Sequence, residues 1–207
     1  MRGILKKISF ILATLIIFPL VIIFKISCKY LDEDHFFMSL GQFLSLFPGK
    51  FGSYLRVAFY HQALPAFSKN TYIGFCSYFS HPEIKVGEGV YIGAYCIIGK
   101  TFIGSDVTIG SHVNILSGKK QHIFEEMGRP IQEQGGVFEA VKIGENCWIG
   151  NGAIIMANLG KQCVVGAGAV VVSDTGDYEI LVGNPAKVVR KLEPKLISQP
   201  IPTVHGS

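Results

Sequence analysis

"VGEGVYIGAYCIIGKTFIGSDVTIGSHVNI", Val86 to Ile115, decides the fold. Valine or isoleucine returns at Val86, Ile92, Ile98, Ile103, Ile109 and Ile115, in steps of six with one step of five. That period fits neither an α-helix at about 3.6 residues per turn nor a heptad at about 3.5. It fits a parallel β-helix, in which each hexapeptide supplies one short flat side and a turn. Three sides close one coil, and each aliphatic residue points inward onto its counterpart a coil away.

A second position tests this reading. Four residues after an aliphatic residue the interior needs something small or medium-sized, and Val90, Cys96, Val107, Val113, Cys147, Ala153 and Ala169 stand there. Cys96, Cys147 and Cys163 therefore read as buried small hydrophobes, not as nucleophiles or metal ligands. The glycine that follows each aliphatic residue suits a tight corner, with an unusual φ expected there. The repeat runs from Ile73 to Ile115, resumes at "IGENCWIGNGAI" and continues through "VGAGAV" to Val171. Between Ile155 and Leu159 the step is four, so that coil is shortened.

The chain upstream has a different character. Ile8 to Phe24, "ISFILATLIIFPLVIIF", is uncharged and mostly apolar, with Arg2, Lys6 and Lys7 before it and Lys25 and Lys29 after. A helix of about 17–25 such residues can cross a bilayer core, which puts this one at the short limit. It reads badly as a cleaved signal peptide, since no A-x-A-like site follows. Pro19 is expected to kink or break the helix. "FFMSLGQFLSLFPGKFGSYLRVAFYHQAL" then reads as two helical pieces meeting at "FPGKFG". Arg56, His61 and Lys50 are expected at the headgroup level of a membrane, and the alternative is packing on the protein's own surface. Because positive charge flanks the apolar run on both sides, the spanning and interfacial placements stay open.

Composition narrows the function. The chain has 207 residues, 16% charged and 49% hydrophobic, a mean hydropathy of +0.38 and a formal charge of +4. One compact domain with an appendage is expected. The mild charge, without basic runs interleaved with aromatics, argues against nucleic acid. The five cysteines show no CxxC or zinc-finger spacing, and an odd number fits a reducing compartment. The expected organisation is a membrane-associating helical region over 1–67, a β-helix over 68–192 with an insertion at 117–136, and a tail over 193–207. That tail, with Pro194, Pro200 and Pro202, is expected to be an extended strap or disordered.

From Ile73 to Leu192 the repeats, "CWIG", "WIGNGA", "GAGAVV" and the closing "VGNPAKVVRK" resemble the hexapeptide-repeat acyltransferases, close to the sugar and polysaccharide O-acetyltransferases. The resemblance implies a mainly β fold, a left-handed parallel β-helix preceded here by membrane-associated helices; periodicity alone does not fix the hand. It further implies a homotrimer with sites between subunits, acetyl-CoA as co-substrate and no metal. With the apolar leader, the expected acceptor is a sugar, free or in a lipid-linked glycan or polysaccharide precursor, at the cytoplasmic face of the cell membrane.

The resemblance also assigns roles. "LSGKKQHIFEEMGRPIQEQGG", Leu116 to Gly136, interrupts the repeat, and a loop of that length in a compact domain is expected to be functional. Its "SG" and "GG" ends let the chain leave and rejoin sharply. Acyl transfer to a hydroxyl needs a base near neutral pH, which imidazole supplies. On the resemblance His122 is that base, although two lysines follow "SG" where the family places its histidine. His112, on the repeat three residues after Ile109, competes, as does a segment with no catalytic histidine. Glu125, Glu126 and Glu133 are left unassigned. For the cofactor, Trp148, Asn151 and Ala167 match the acyl-arm segments, and Lys187 and Arg190 match basic positions for the CoA phosphates. Lys187 and Arg190 are equally readable as solvated charges on a terminal helix, and Trp148 as packing. Two other functions compete: a non-catalytic trimeric membrane scaffold, and a γ-carbonic-anhydrase-like zinc enzyme using His81, His112 and His122.

Overall fold

The computed structural model describes residues 2–193, so the expected tail beyond Glu193 lies outside the described residues. Three helices, α1 (Arg2–Ser27), α2 (Glu33–Ser45) and α3 (Gly49–Ala63), precede a run of short strands of mostly two residues. The strands pair parallel into three sheets, each strand with its equivalent one coil away. Only the final hairpin, Glu179–Val182 with Lys187–Lys191, is antiparallel. The molecule is thus a three-faced parallel coil behind a helical cap.

The register confirms the inward columns. Ile73, Ile92, Ile109, Ile149, Val165 and Leu181 stack on the first face. Phe79, Ile98, Ile115, Ile155 and Val171 stack on the second. Phe67, Val86, Ile103, Ile143 and Leu159 stack on the third. All are buried, as are the small partners from Val90 to Ala169 and Cys163. The short step to Leu159 is absorbed by a single bridge to Ile143.

The corners correct one expectation. Positive φ falls three residues after the aliphatic residue, at Cys76, Tyr95, His112, Gly152 and Gly168 on one corner and at Gly89, Asp106, Asn146, Gln162 and Tyr178 on another. The glycine directly after the aliphatic residue is required for space instead. A Cβ on Gly93 would lie 2.6 Å from the Gly110 carbonyl carbon and the Ser111 nitrogen, both backbone atoms of the next coil. Gly93→Ala is therefore expected to cost about 1–3 kcal/mol through backbone displacement. For a chain of this size that lowers the melting temperature by about 2–4 °C per kcal/mol. At Gly128 nothing lies within 4 Å, so alanine there meets only the strain of φ +82°. Calorimetry of the two variants checks the ranking.

The cap corrects a second expectation. Arg56 does not reach outward, and His61, though exposed, turns one ring nitrogen to the coil; α3 uses both to close its open end. The first coil leaves backbone groups with no strand beyond it. Ser53 Oγ accepts from the Ile73 N–H at 3.1 Å, and Arg56 donates to the Ile73 carbonyl through Nε and Nη2 at 3.2 and 2.9 Å. Tyr60 Oη accepts from the Phe79 N–H at 3.3 Å, and a His61 ring nitrogen lies 2.6 Å from the Phe67 carbonyl. One helix thereby terminates all three faces. Lys50, by contrast, is exposed.

Nor does Pro19 break α1, which is continuous from Arg2 to Ser27. Ala13 and Ile17 before the proline and Val21 and Phe24 after it are buried together, so packing on both sides holds one axis across the missing hydrogen bond.

Candidate active site

Beyond Ile115 the chain leaves the coil and rejoins at Val141, so the insertion extends past Gly136 to Ala140. It is a hydrogen-bonded arm. The Glu139, Val137 and Ile123 amides donate to the Ser117, Lys120 and Gly135 carbonyls at 3.0, 2.7 and 3.0 Å. Gly118 and Gly135 take φ of +80° and +79° where the arm leaves and returns, and a Cβ on Gly136 would run into the Gln121 carbonyl. At the tip, the Gln134 side chain accepts from the Glu126 N–H at 3.0 Å and donates to the Glu126 and Arg129 carbonyls at 3.0 and 2.8 Å. Glu126 also pairs with Arg129 at 3.0 Å and is thereby engaged at the tip.

His122 sits between the paired positions Lys120 and Ile123. Its imidazole is exposed and makes no hydrogen bond among the described residues. The neighbouring Gln121 lines a cavity of about 150 Å³ at the arm's root, with Ser80, His81, Ile97, Asn114 and Ser117. His112 is placed differently. It occupies a corner at φ +60° and stacks on Tyr95, ring centroids 4.9 Å apart and planes 5° apart.

The five donor-side residues gather along one face and its bounding corner. Trp148 is 58% exposed on the first face, in register with Thr108 and Val164. That outward row continues through Ile180 to Arg190. Asn151 and Ala167 stack on the corner after this face: Asn151 Oδ1 accepts from the Ser111 N–H at 2.9 Å, and its carbonyl accepts from the Gly168 N–H at 2.9 Å. Lys187 lies opposite Val182 at the end of the same corner. Lys187 and Arg190 are on an exposed strand, not on a terminal helix, because the residues after Asn184-Pro185 turn back and pair with Glu179–Val182.

The arm leaves from the far edge of the second face, and the donor residues lie across its near edge. Six residues at about 3.3 Å each separate the two corners by about 20 Å. Among the described residues no group of three or more histidine, cysteine or acidic side chains is arranged to hold a metal. His81 is instead held by Asp34, Nδ1 to Oδ2 at 2.8 Å. That pairing bridges α2 and the first coil across 47 residues, so no local spacing announced it. Burial pushes the Cys96 thiol up, which fits an inert packing role.

Residues 140–173 match the family model for the hexapeptide repeat of succinyl-transferase. That stretch carries the hexapeptide repeat. Comparison with curated protein sequences finds no match. Among solved structures, this chain is similar to a maltose O-acetyltransferase from Clostridium difficile 630, at 25% identity over 79% of this chain and 90% of that one, with a TM-score of 0.67. It is also similar to a hexapeptide-repeat-containing acetyltransferase from Vibrio cholerae, at 20% identity over 80% and 96% with a TM-score of 0.67. A galactoside acetyltransferase in complex with coenzyme A aligns at 20% identity over 79% and 84%, with a TM-score of 0.65. At 20% identity these last two are likenesses of fold. The matched stretch covers the coils after the arm, where Trp148, Asn151 and Ala167 stand.

Proposed function

We propose that this protein is an acetyl-CoA-dependent O-acetyltransferase that modifies a sugar hydroxyl, built on a left-handed coil and working as a homotrimer. The observation that carries the reading is the likeness over most of both chains to a maltose O-acetyltransferase. The chain's own geometry supports it: a smooth prism gains one ordered arm, and that arm carries a histidine. His122 of one copy takes the acceptor's hydroxyl proton as the oxygen attacks the thioester carbonyl. The tetrahedral intermediate collapses, the C–S bond breaks, and the imidazolium returns the proton to the departing CoA thiolate. Trp148, Asn151 and Ala167 of the neighbouring copy line the acyl arm's path, and Lys187 and Arg190 meet the phosphates. Incubation of the purified protein with acetyl-CoA and a panel of free and lipid-linked sugars, with thiol release as readout, tests the reading. Absence of thiol release with every acceptor overturns it.

Within this reading the acceptor is membrane-linked and the enzyme lies on the cytoplasmic face of the cell membrane. α1 is long and apolar enough to cross a bilayer. Its attachment to the protein body favours lying in the interface instead. Lys6 Nζ donates to Asn70 Oδ1 at 3.2 Å near one end, Gln62 Nε2 to the Thr14 carbonyl at 3.4 Å in the middle, and Phe24 packs among Phe36, Phe37 and Phe59 near the other. A helix held along its length cannot also stand through the membrane. Its other side, including Leu5, Leu12 and Leu15 at 67%, 54% and 65% exposure, faces outward for lipid. A groove of about 400 Å³ between Phe24, Leu64, Pro65, Ile84 and Phe102 is rimmed by Glu33, Asp34, Glu83 and Lys85. Burying a leucine contributes about 1.5–3 kcal/mol. Each of Leu5→Glu, Leu12→Glu and Leu15→Glu is therefore expected to weaken co-flotation with anionic vesicles about tenfold or more, with thermal stability retained.

A further inference from the structure

We infer that the cavity at the arm's root is a sugar subsite in which His81, aligned by Asp34, holds an acceptor hydroxyl. His81 Nδ1 and Asp34 Oδ2 lie 2.8 Å apart, which leaves Nε2 as the free edge of the ring. Nε2 has no protein partner among the described residues, and no sealed side-chain nitrogen or oxygen there lacks one. Nε2 is thus open to an incoming hydroxyl. The ring is otherwise fixed: its side chain is 14% exposed, and Phe138 from the returning side of the arm packs on it with centroids 5.3 Å apart.

The surroundings select the ligand class. His81 shares the cavity with apolar Ile97 and Leu116 and with the amides of Asn114 and Gln121. An apolar patch beside amides and one free ring nitrogen matches a sugar ring, which offers a C–H face and hydroxyl edges. At about 150 Å³ the cavity is well below the ~300 Å³ where larger ligand sites begin, a size for one ring. Two residues on from His81, Glu83 is already paired with Lys100 at 2.9 Å. Gln121 is the residue before His122, so a ring in this cavity lies at the foot of the segment that carries the base.

That the ring is an acceptor rests on the acetyltransferase reading; that a sugar binds here does not. The test is NMR on the full chain, following the imidazole resonances during titration with methyl glucoside, methyl galactoside and methyl N-acetylglucosaminide. At least one glycoside is expected to move His81 while leaving His35 and His112 in place. His81→Gln and Asp34→Asn are each expected to weaken its binding about three- to tenfold, the loss of one hydrogen bond. A pair that serves only to pin α2 to the coil would lower the melting temperature in both variants and leave sugar binding unchanged. That result, or a wild-type His81 unmoved by all three glycosides, overturns the subsite. Sugar binding at His81 without thiol release from acetyl-CoA leaves the subsite standing and removes the acetyltransferase reading.

Discussion

Replacement of His122 by alanine is expected to lower acyl transfer about 10²–10⁴-fold, the usual contribution of a general base. The melting temperature is expected to stay within a degree of the parent, because the side chain is exposed and bonds to nothing among the described residues. The backbone around it is not free to drift. Its neighbours are tied across the arm at Lys120–Val137 and Ile123–Gly135, so an intact arm presents residue 122 at a fixed place. His112→Ala tests the competing histidine, whose ring stacks on Tyr95 at the corner that also carries Asn151. Thiol release measured alongside melting curves separates the cases. A loss smaller than about tenfold for His122→Ala, or an equal loss for His112→Ala, removes the base from this position. With the site formed between copies as proposed, mixing His122→Ala with Asn151→Leu subunits is expected to restore part of the activity.

The largest effect on stability is expected at Arg56. Its side chain is fully buried and donates through Nη1 to the carbonyls of Leu44, Ser45 and Phe47 at 3.0, 3.3 and 2.8 Å, in addition to Ile73. No carboxylate pairs with it among the described residues. Burial lowers its pKa, and the carbonyl dipoles compensate the charge. α2 has no basic residue in its own last turn, so Arg56 supplies from α3 the cation that a helix C-terminus favours. Arg56→Met strips donors from several buried carbonyls at once, each costing about 1–3 kcal/mol. A loss of about 3–5 kcal/mol is expected, visible as unfolding at lower denaturant with the cap released first. Arg56→Lys is expected to recover only a minor part, because an ammonium cannot fork across carbonyls on α2 and on the coil together. Denaturant titration checks both variants; a cost under about 1 kcal/mol for Arg56→Met would show that the cap closes without it.

The coil was legible because a β-helix is quasi-one-dimensional. Each residue's environment repeats from coil to coil, so Ile92, Ile98 and Cys96 declare inward positions by spacing alone. The arm was legible as an interruption, though not its end, since Val137 to Ala140 carry no repeat signature and belong to the arm only through bonds to Lys120 and Ser117. The cap was not legible. Arg56 follows the pattern of a polar position on an apolar helix, and only the position of the coil's open edge turns it inward, while the exposed His61 reaches that edge with one ring nitrogen. Lys187 and Arg190 likewise look helical until Glu179–Val182 offers them a strand to pair with.

The sequence by itself determined the three-sided coil, its inward residues, the place of the arm and the histidine on it, because local spacing sets which side of a short strand a residue faces. Only the tertiary structure decided that α3 seals all three faces and that α1 lies along the body. It alone set Asp34 against His81. These are contacts between segments tens of residues apart, and no period within either segment encodes where the other will lie.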